Sequence, residues 1–174
     1  MLIAGIGKRG ADSYIRPFDG RSVTATGVRI VREGCVILGI AKGDIKSNPT
    51  ALLPPQPMSP LSTKTVELIG QVLDAQCFMG IMNPGYGRTH RACATQCIRG
   101  GQPVFFSLDI NSAQETSGQG ACSGQGYILA SPNGGKINNQ VLGDIAVPMI
   151  LEARLENIGN LSRLIPIGKG LRRL

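Results

Sequence analysis

The 174 residues, 42% hydrophobic and 17% charged, suit a folded protein with one good core or two small ones. With 24 glycines, 11 prolines and no Trp, many turns and a mainly β architecture are expected, and with 4% aromatic residues the core falls to Val, Ile and Leu. The net charge of +7 is diffuse, suiting solubility alone or an anionic membrane surface, an acidic protein or nucleic acid, and no stretch approaches the roughly 18 to 20 apolar residues that cross a bilayer, so no transmembrane segment is expected.

The chain opens on "MLIAGIG", too short for the apolar region of a signal peptide and without a charged segment ahead of it. It reads as a strand ending in a glycine turn. "ADSYIRPF" is a short amphipathic segment, "SVTATGVRIV" alternates as a half-buried strand, and the turn "EG" leads into a last apolar strand. Five prolines then crowd "SNPTALLPPQPMSPLS", residues 47–62, where they forbid a helix or a central strand and favour an extended connector. The expected division is a unit over 1–46, this connector, and a larger unit over 63–174.

In the larger unit "KTVELIGQVLDAQC" reads as a strand, with Asp74 expected to face solvent at its end. "NPGYG" is a turn, Thr89 a candidate N-cap for the short helix "HRACATQCI", and Gly100 with Gly101 its stop. "QPVFFSLDI" supplies the next strand, with Phe105 and Phe106 on opposite faces and expected in the core. The loop "ETSGQGACSGQG" is expected to be mobile. After it, "YILA", "NNQVLGDIA" and "PMILEARLEN", then the turn "GN" and a final strand, repeat the order of the first unit. Five strands with a helix before the fourth suggest a small Greek-key barrel of the OB type. The fold expected is therefore mainly β. It has two OB-like units, the first incomplete, each with a short helix, and a Cys/His-bearing helix in the second. An incomplete barrel leaves strand edges unpaired, so the chain reads as a fragment of a longer protein.

The only histidine lies in "THRACATQC", beside two of five cysteines. An odd number leaves at least one thiol outside any intramolecular disulfide. Cys77, His90, Cys93 and Cys97 make a three-Cys, one-His set suited to tetrahedral Zn or to an iron–sulfur centre with one His ligand. On a helix, positions 90, 93 and 97 share a side, yet His90 and Cys97 stand about 10 Å apart along the axis. Bonds of about 2.0 to 2.3 Å cannot span that to one ion. Either His90 precedes the helix and folds back, or only some of the four bind. Two alternatives stand beside the metal. Cys77 paired with Cys93 or Cys97 closes a loop of about 15 to 20 residues, worth about 3 kcal/mol; or the thiols pack as small apolar groups. Cys35 and Cys122 look incidental. A His90–Cys nucleophile pair lacks a carboxylate that clearly orients the imidazole, since Asp74, the nearest upstream candidate, is expected to face solvent. Arg88, Arg91 and Arg99 flank a glycine-rich helix start and form an anion-binding candidate. Neither a Walker Lys nor a GxGxxG fingerprint is present, and stacking aromatics are few, so nucleotides and nucleic acid lack support.

The stretch "GQVLDAQCFMGIMNPGYGRTHRACATQCIRGGQP", residues 70–103, resembles a family of bacterial membrane-anchored or periplasmic proteins of poorly defined function, with a C…PGxGxxHRACAxxCIxGG motif. The motif maps onto Cys77, His90, Cys93 and Cys97 and onto the turn residues Pro84, Gly85, Gly87, Gly100 and Gly101. Asn83 stands where a basic residue is common, and Val104 where a second proline is. Longer members carry an N-terminal membrane segment and a fuller first domain. The resemblance implies a periplasmic or membrane-anchored, extracytoplasmic location and brings no established reaction. The resulting expectation is a non-catalytic accessory domain that holds a metal or redox centre through the Cys/His cluster and serves a membrane-bound partner. Without a cofactor, it becomes a disulfide-stabilised interaction domain.

Overall fold

The computed structural model describes residues 1–32, 35–48, 60, 62–109, 126–158 and 161–174. Along the first part of the chain come β1 (Leu2–Gly5), the short helix α1 (Asp12–Ile15) with a 3₁₀ turn over Arg16–Phe18, β2 (Val23–Ala25), β3 (Val28–Arg32), β4 (Cys35–Ile40) and β5 (Ile45–Ser47). β1 pairs in parallel with β4, β4 pairs antiparallel with β3, and β2 and β5 form a separate antiparallel ribbon. Ala4, Ile37 and Ile40 are the buried apolar residues of the three-stranded sheet.

The second part contains β6 (Ser62–Asp74), a wide helical turn over Cys77–Ile81, helix α2 (Gly87–Arg99), β7 (Val104–Leu108), β8 (Gly126–Leu129), a 3₁₀ turn over Asn138–Gln140, β9 (Pro148–Ile158) and β10 (Leu161–Arg173). Its five strands close into a barrel in the order β10, β8, β7, β6, β9. Every neighbouring pair is antiparallel except β8 with β10, which is parallel. The period-two pattern explains the closure. On β9 Met149, Leu151, Ala153 and Leu155 point inward, and Ile150, Glu152 and Arg154 between them stay partly exposed. Leu68 of β6 lies opposite Leu151 in the register, and Val72 further along β6 is opposite Phe106 of β7; both are buried.

The resemblance between the two halves of the sequence appears as topology. In each, a short strand is followed by a helical turn and pairs in parallel with a later strand, β1 with β4 and β8 with β10, and that later strand pairs antiparallel with the one before it. The strand pairings flanking "EG" and "GN" are those of hairpins, with the turn residues themselves outside the described residues. Most of the proline-rich 47–62 stretch also lies outside them, as does the loop holding Cys122; Ser47 ends β5 and Ser62 begins β6.

The core departs from the aliphatic one that composition suggested. Phe78, Phe105, Phe106 and Tyr127 are all buried in it, and Tyr127, Phe105 and Phe106 are its largest fully buried side chains. A low count of aromatics does not say where they go. Burying a ring removes more apolar surface from water than any aliphatic side chain, so the few present collect at the centre. Among the described residues no helix is long and apolar enough to cross a membrane.

The N-terminal residues pack on the second part rather than standing apart. Gln102, fully buried, points its Nε2 at the carbonyl oxygens of Gly5 and Gly7 (2.8 Å each) and Arg9 (2.9 Å), and at Gln76 Oε1 (2.8 Å). The Gly10 N–H donates to the Gly100 carbonyl at 2.8 Å. This seam lies beside the cysteines.

Candidate metal centre

β6 ends in the interior, and its last residue organises the turn after it. Asp74 is fully buried, contrary to the solvent-facing position expected of it. Its Oδ1 accepts the Cys77 N–H at 2.8 Å, a cap three residues along that starts the Cys77–Ile81 turn. Its Oδ2 lies 3.0 Å from His90 Nε2, with both side chains completely shielded from solvent. The imidazole therefore has an orienting carboxylate, the one that sequence reasoning set aside as solvent-facing. A carboxylate oxygen accepts, so Nε2 donates to it; Nδ1 is buried with no hydrogen-bond partner among the described residues.

The Cys77 turn is held from three sides. Phe78 stacks on Phe105 at 4.8 Å between ring centroids. The Arg32 guanidinium lies 5.2 Å from the Phe78 ring centroid and donates to the Phe78 carbonyl at 2.6 Å. From the "NPGYG" loop, Gly85 presses so closely that a Cβ there would sit 2.7 Å from the Cys77 carbonyl oxygen.

Helix α2 carries the other ligand candidates. It begins at Gly87, two residues ahead of the expected Thr89 cap; Tyr86 precedes it with extended backbone and no side-chain cap, and the Gly87 N–H finds Gln71 Oε1 at 3.2 Å. Its end is the expected one: the Gly100 N–H returns to Gln96, and Gly101 takes the left-handed φ of +94° that favours glycine. His90, Ala94, Cys97 and Ile98 form the buried face, with Cys93 half-buried beside it.

This helix brings Cys93 and Cys97 to Cys77. The Cys77 Sγ lies 3.9 Å from the Sγ of each, and the three sulfurs lie within 4.8 Å of one another. All three are free thiols. A disulfide needs about 2.05 Å. Two sulfurs on one tetrahedral ion with bonds of about 2.3 Å stand about 3.8 Å apart, which is the observed spacing. The expected four-residue set is thus divided. Cys77, Cys93 and Cys97 form one group, Asp74, Cys77 and His90 a second, and Cys77 belongs to both. The regular helix accounts for this, since His90 sits two turns from Cys97 and is drawn to Asp74 instead.

The thiols perturb one another. The hydrogen bond with Cys97 pushes the Cys77 thiol far up, assisted by burial and by the Asp74 charge. Burial and the neighbouring Cys97 raise Cys93. The hydrogen bond with Cys77 lowers Cys97, against the opposing effect of burial. Lys8 places a positive charge near Cys93 and Cys97. All three cysteines line a cavity of about 390 Å³ beneath β3, with walls that include Ile6, Val28, Ile30, Ile81 and Met82.

The three arginines do not converge. Arg88 and Arg91 are exposed near the start of α2, and Arg99 is exposed in its last turn, about 16 Å along the axis from Arg88. Of the remaining cysteines, Cys35 begins β4 and Cys122 lies outside the described residues. Sequence reasoning singled out Asp74 as the nearest carboxylate but set it aside as solvent-facing, and it missed Lys8 and Gln102. Only Asp74 left a local trace, the Asp-x-x-Cys spacing of a side-chain cap.

Compared with protein-family models, with curated proteins and with solved structures, the chain matches none.

Proposed function

We propose that this protein is a non-catalytic accessory domain that binds one soft metal ion, Zn²⁺ being the best fit, through the thiolates of Cys77, Cys93 and Cys97. The observation that carries the reading is the sulfur triangle, with two edges of 3.9 Å radiating from Cys77. One ion suits this better than a cubane iron–sulfur cluster, where each thiolate takes its own iron and the sulfurs spread apart. Asp74 and His90 form a layer behind the ion, and the Asp74 bond to the Cys77 N–H sets the position of the shared thiol. The barrel is read as OB-like, supported by its closed five-strand order and the single parallel pair between third and fifth strands, with residues 1–46 an incomplete second copy ahead of a connector. An extracytoplasmic location and service to a membrane-bound partner belong to the same proposal and rest on the motif resemblance alone.

The second reading is a disulfide-stabilised interaction domain without a cofactor, favoured by the equal distance of Cys77 from two possible partners. Elemental analysis of the purified protein, with a free-thiol count under denaturing, non-reducing conditions, separates the two. One Zn per chain, lost in Cys77→Ser, supports the metal. No metal, and three titratable thiols from the five cysteines, supports the disulfide and refutes the metal.

A further inference from the structure

Building on the metal reading, we propose that the ion's remaining coordination position takes the sulfur of a small aliphatic thiol, whose hydrocarbon body lies in the cavity lined by the three cysteines. Three thiolates supply three corners of a tetrahedron. Among the described residues no histidine, carboxylate or further thiol lies within 4.8 Å of all three sulfurs; Asp74 and His90 come within that distance of Cys77 and form their own group with it. The Nε2 of His90 is taken by Asp74, and His90 is not part of the cavity wall. A set of three protein ligands with a fourth position facing a cavity is the arrangement that metal sites use to receive an outside ligand.

The cavity specifies the chemistry of that ligand. At about 390 Å³ it is of the size that holds a small molecule. Ile6, Val28, Ile81 and Met82 remain 53%, 60%, 54% and 42% exposed, so four large apolar side chains stand partly in water around one opening. An aliphatic body placed there would take them out of water. A soft sulfur donor matches an ion already held by thiolates, whereas a carboxylate or hydroxyl gains nothing from apolar walls. Lys8, which also lines the cavity, supplies a positive charge against the added thiolate. The step is ligand exchange without oxidation. The thiol sulfur forms the metal bond, a coordinated solvent molecule leaves, and the thiol proton passes to solvent.

The test uses the full chain loaded with Co²⁺, kept reduced by a phosphine so that no other thiol is present. Ethanethiol and 1-butanethiol are titrated separately and followed by the sulfur-to-cobalt charge-transfer absorption, with 1-butanol as the hard-donor control. Each buried methylene is worth about fourfold in affinity, so 1-butanethiol is expected to bind about 15-fold more tightly than ethanethiol. Val28→Trp, at an exposed site on the rim, is expected to weaken 1-butanethiol by about tenfold or more and to leave Co²⁺ binding unchanged. An unchanged spectrum, equal affinities for the two thiols, or indifference to Val28→Trp overturns the proposal. A chain that takes up no Co²⁺ overturns it together with the metal reading, and that result is distinct from a loaded chain that ignores thiols.

Discussion

Replacing Asp74 by Ala removes two hydrogen bonds at once in a fully buried setting, the one to the Cys77 N–H at 2.8 Å and the one to His90 Nε2 at 3.0 Å. Both donors then lack an acceptor. A buried polar group left without its partner costs about 1 to 3 kcal/mol, and bonds to a charged acceptor lie toward the upper end, so the expected loss is about 4 kcal/mol. That is a large share of the 5 to 15 kcal/mol typical of a folded domain. Asp74→Asn should cost about half as much. Its Oδ1 still accepts from Cys77, but its amide reaches His90 only if the imidazole proton moves to the partnerless Nδ1. Urea unfolding of reduced, metal-free protein measures both. With a slope of about 2 kcal/mol per molar urea, the Ala variant's midpoint should fall by about 2 M and the Asn variant's by about 1 M. An Ala variant within about 1 kcal/mol of wild type, or an Asn variant as damaged as the Ala one, would refute the role given to Asp74.

Gln102→Leu takes the shared amide from the Gly7 and Arg9 carbonyls and leaves Gly5 only the Gln76 amide at 3.1 Å; a loss of about 3 kcal/mol is expected, with faster amide exchange over residues 5–10 as the readout. Gly85→Ala forces a Cβ to within 2.7 Å of the Cys77 carbonyl oxygen and 2.8 Å of Phe78 Cα, so it should cost about 1 to 3 kcal/mol and weaken Zn²⁺ in a chelator competition. Burial works to raise the Glu156 carboxyl, but hydrogen bonds from Arg154 and Arg163 prevail and hold it below its ordinary value. A folded value below the unfolded one gives stability that is complete above the ordinary value of 4.5 and is lost as pH falls through the folded value. Glu156→Gln should therefore melt below wild type at neutral pH, by about 1 to 2 kcal/mol, and the gap should close in strong acid. A gap independent of pH contradicts the ion pairs.

The parts of the fold that were legible in the sequence are those with a local cause. Alternation in "PMILEARLEN" marks β9 because each inward residue meets the barrel interior, and the repeated order of elements survives as the parallel pairing of β1 with β4 and of β8 with β10. Gly100 and Gly101 ended α2 as expected because a helix stop is a property of one or two residues. The features that were not legible depend on distant partners. Asp74 is buried by a helix that begins thirteen residues later, and alternation along β6 gives no sign of that. The convergence of Cys77 with Cys93 and Cys97 was visible as a candidate set. The departure of His90 toward Asp74 was not, since it needs the distance between strand end and helix. Gln102 binds carbonyls more than ninety residues earlier in the chain, which no spacing rule reaches.

The central claim is that three sulfurs hold one ion. X-ray absorption at the zinc edge of the loaded, thiol-free protein counts them directly. The account predicts three sulfurs at about 2.3 Å and one lighter donor. Two sulfurs or fewer, or a metal–metal vector, would contradict it.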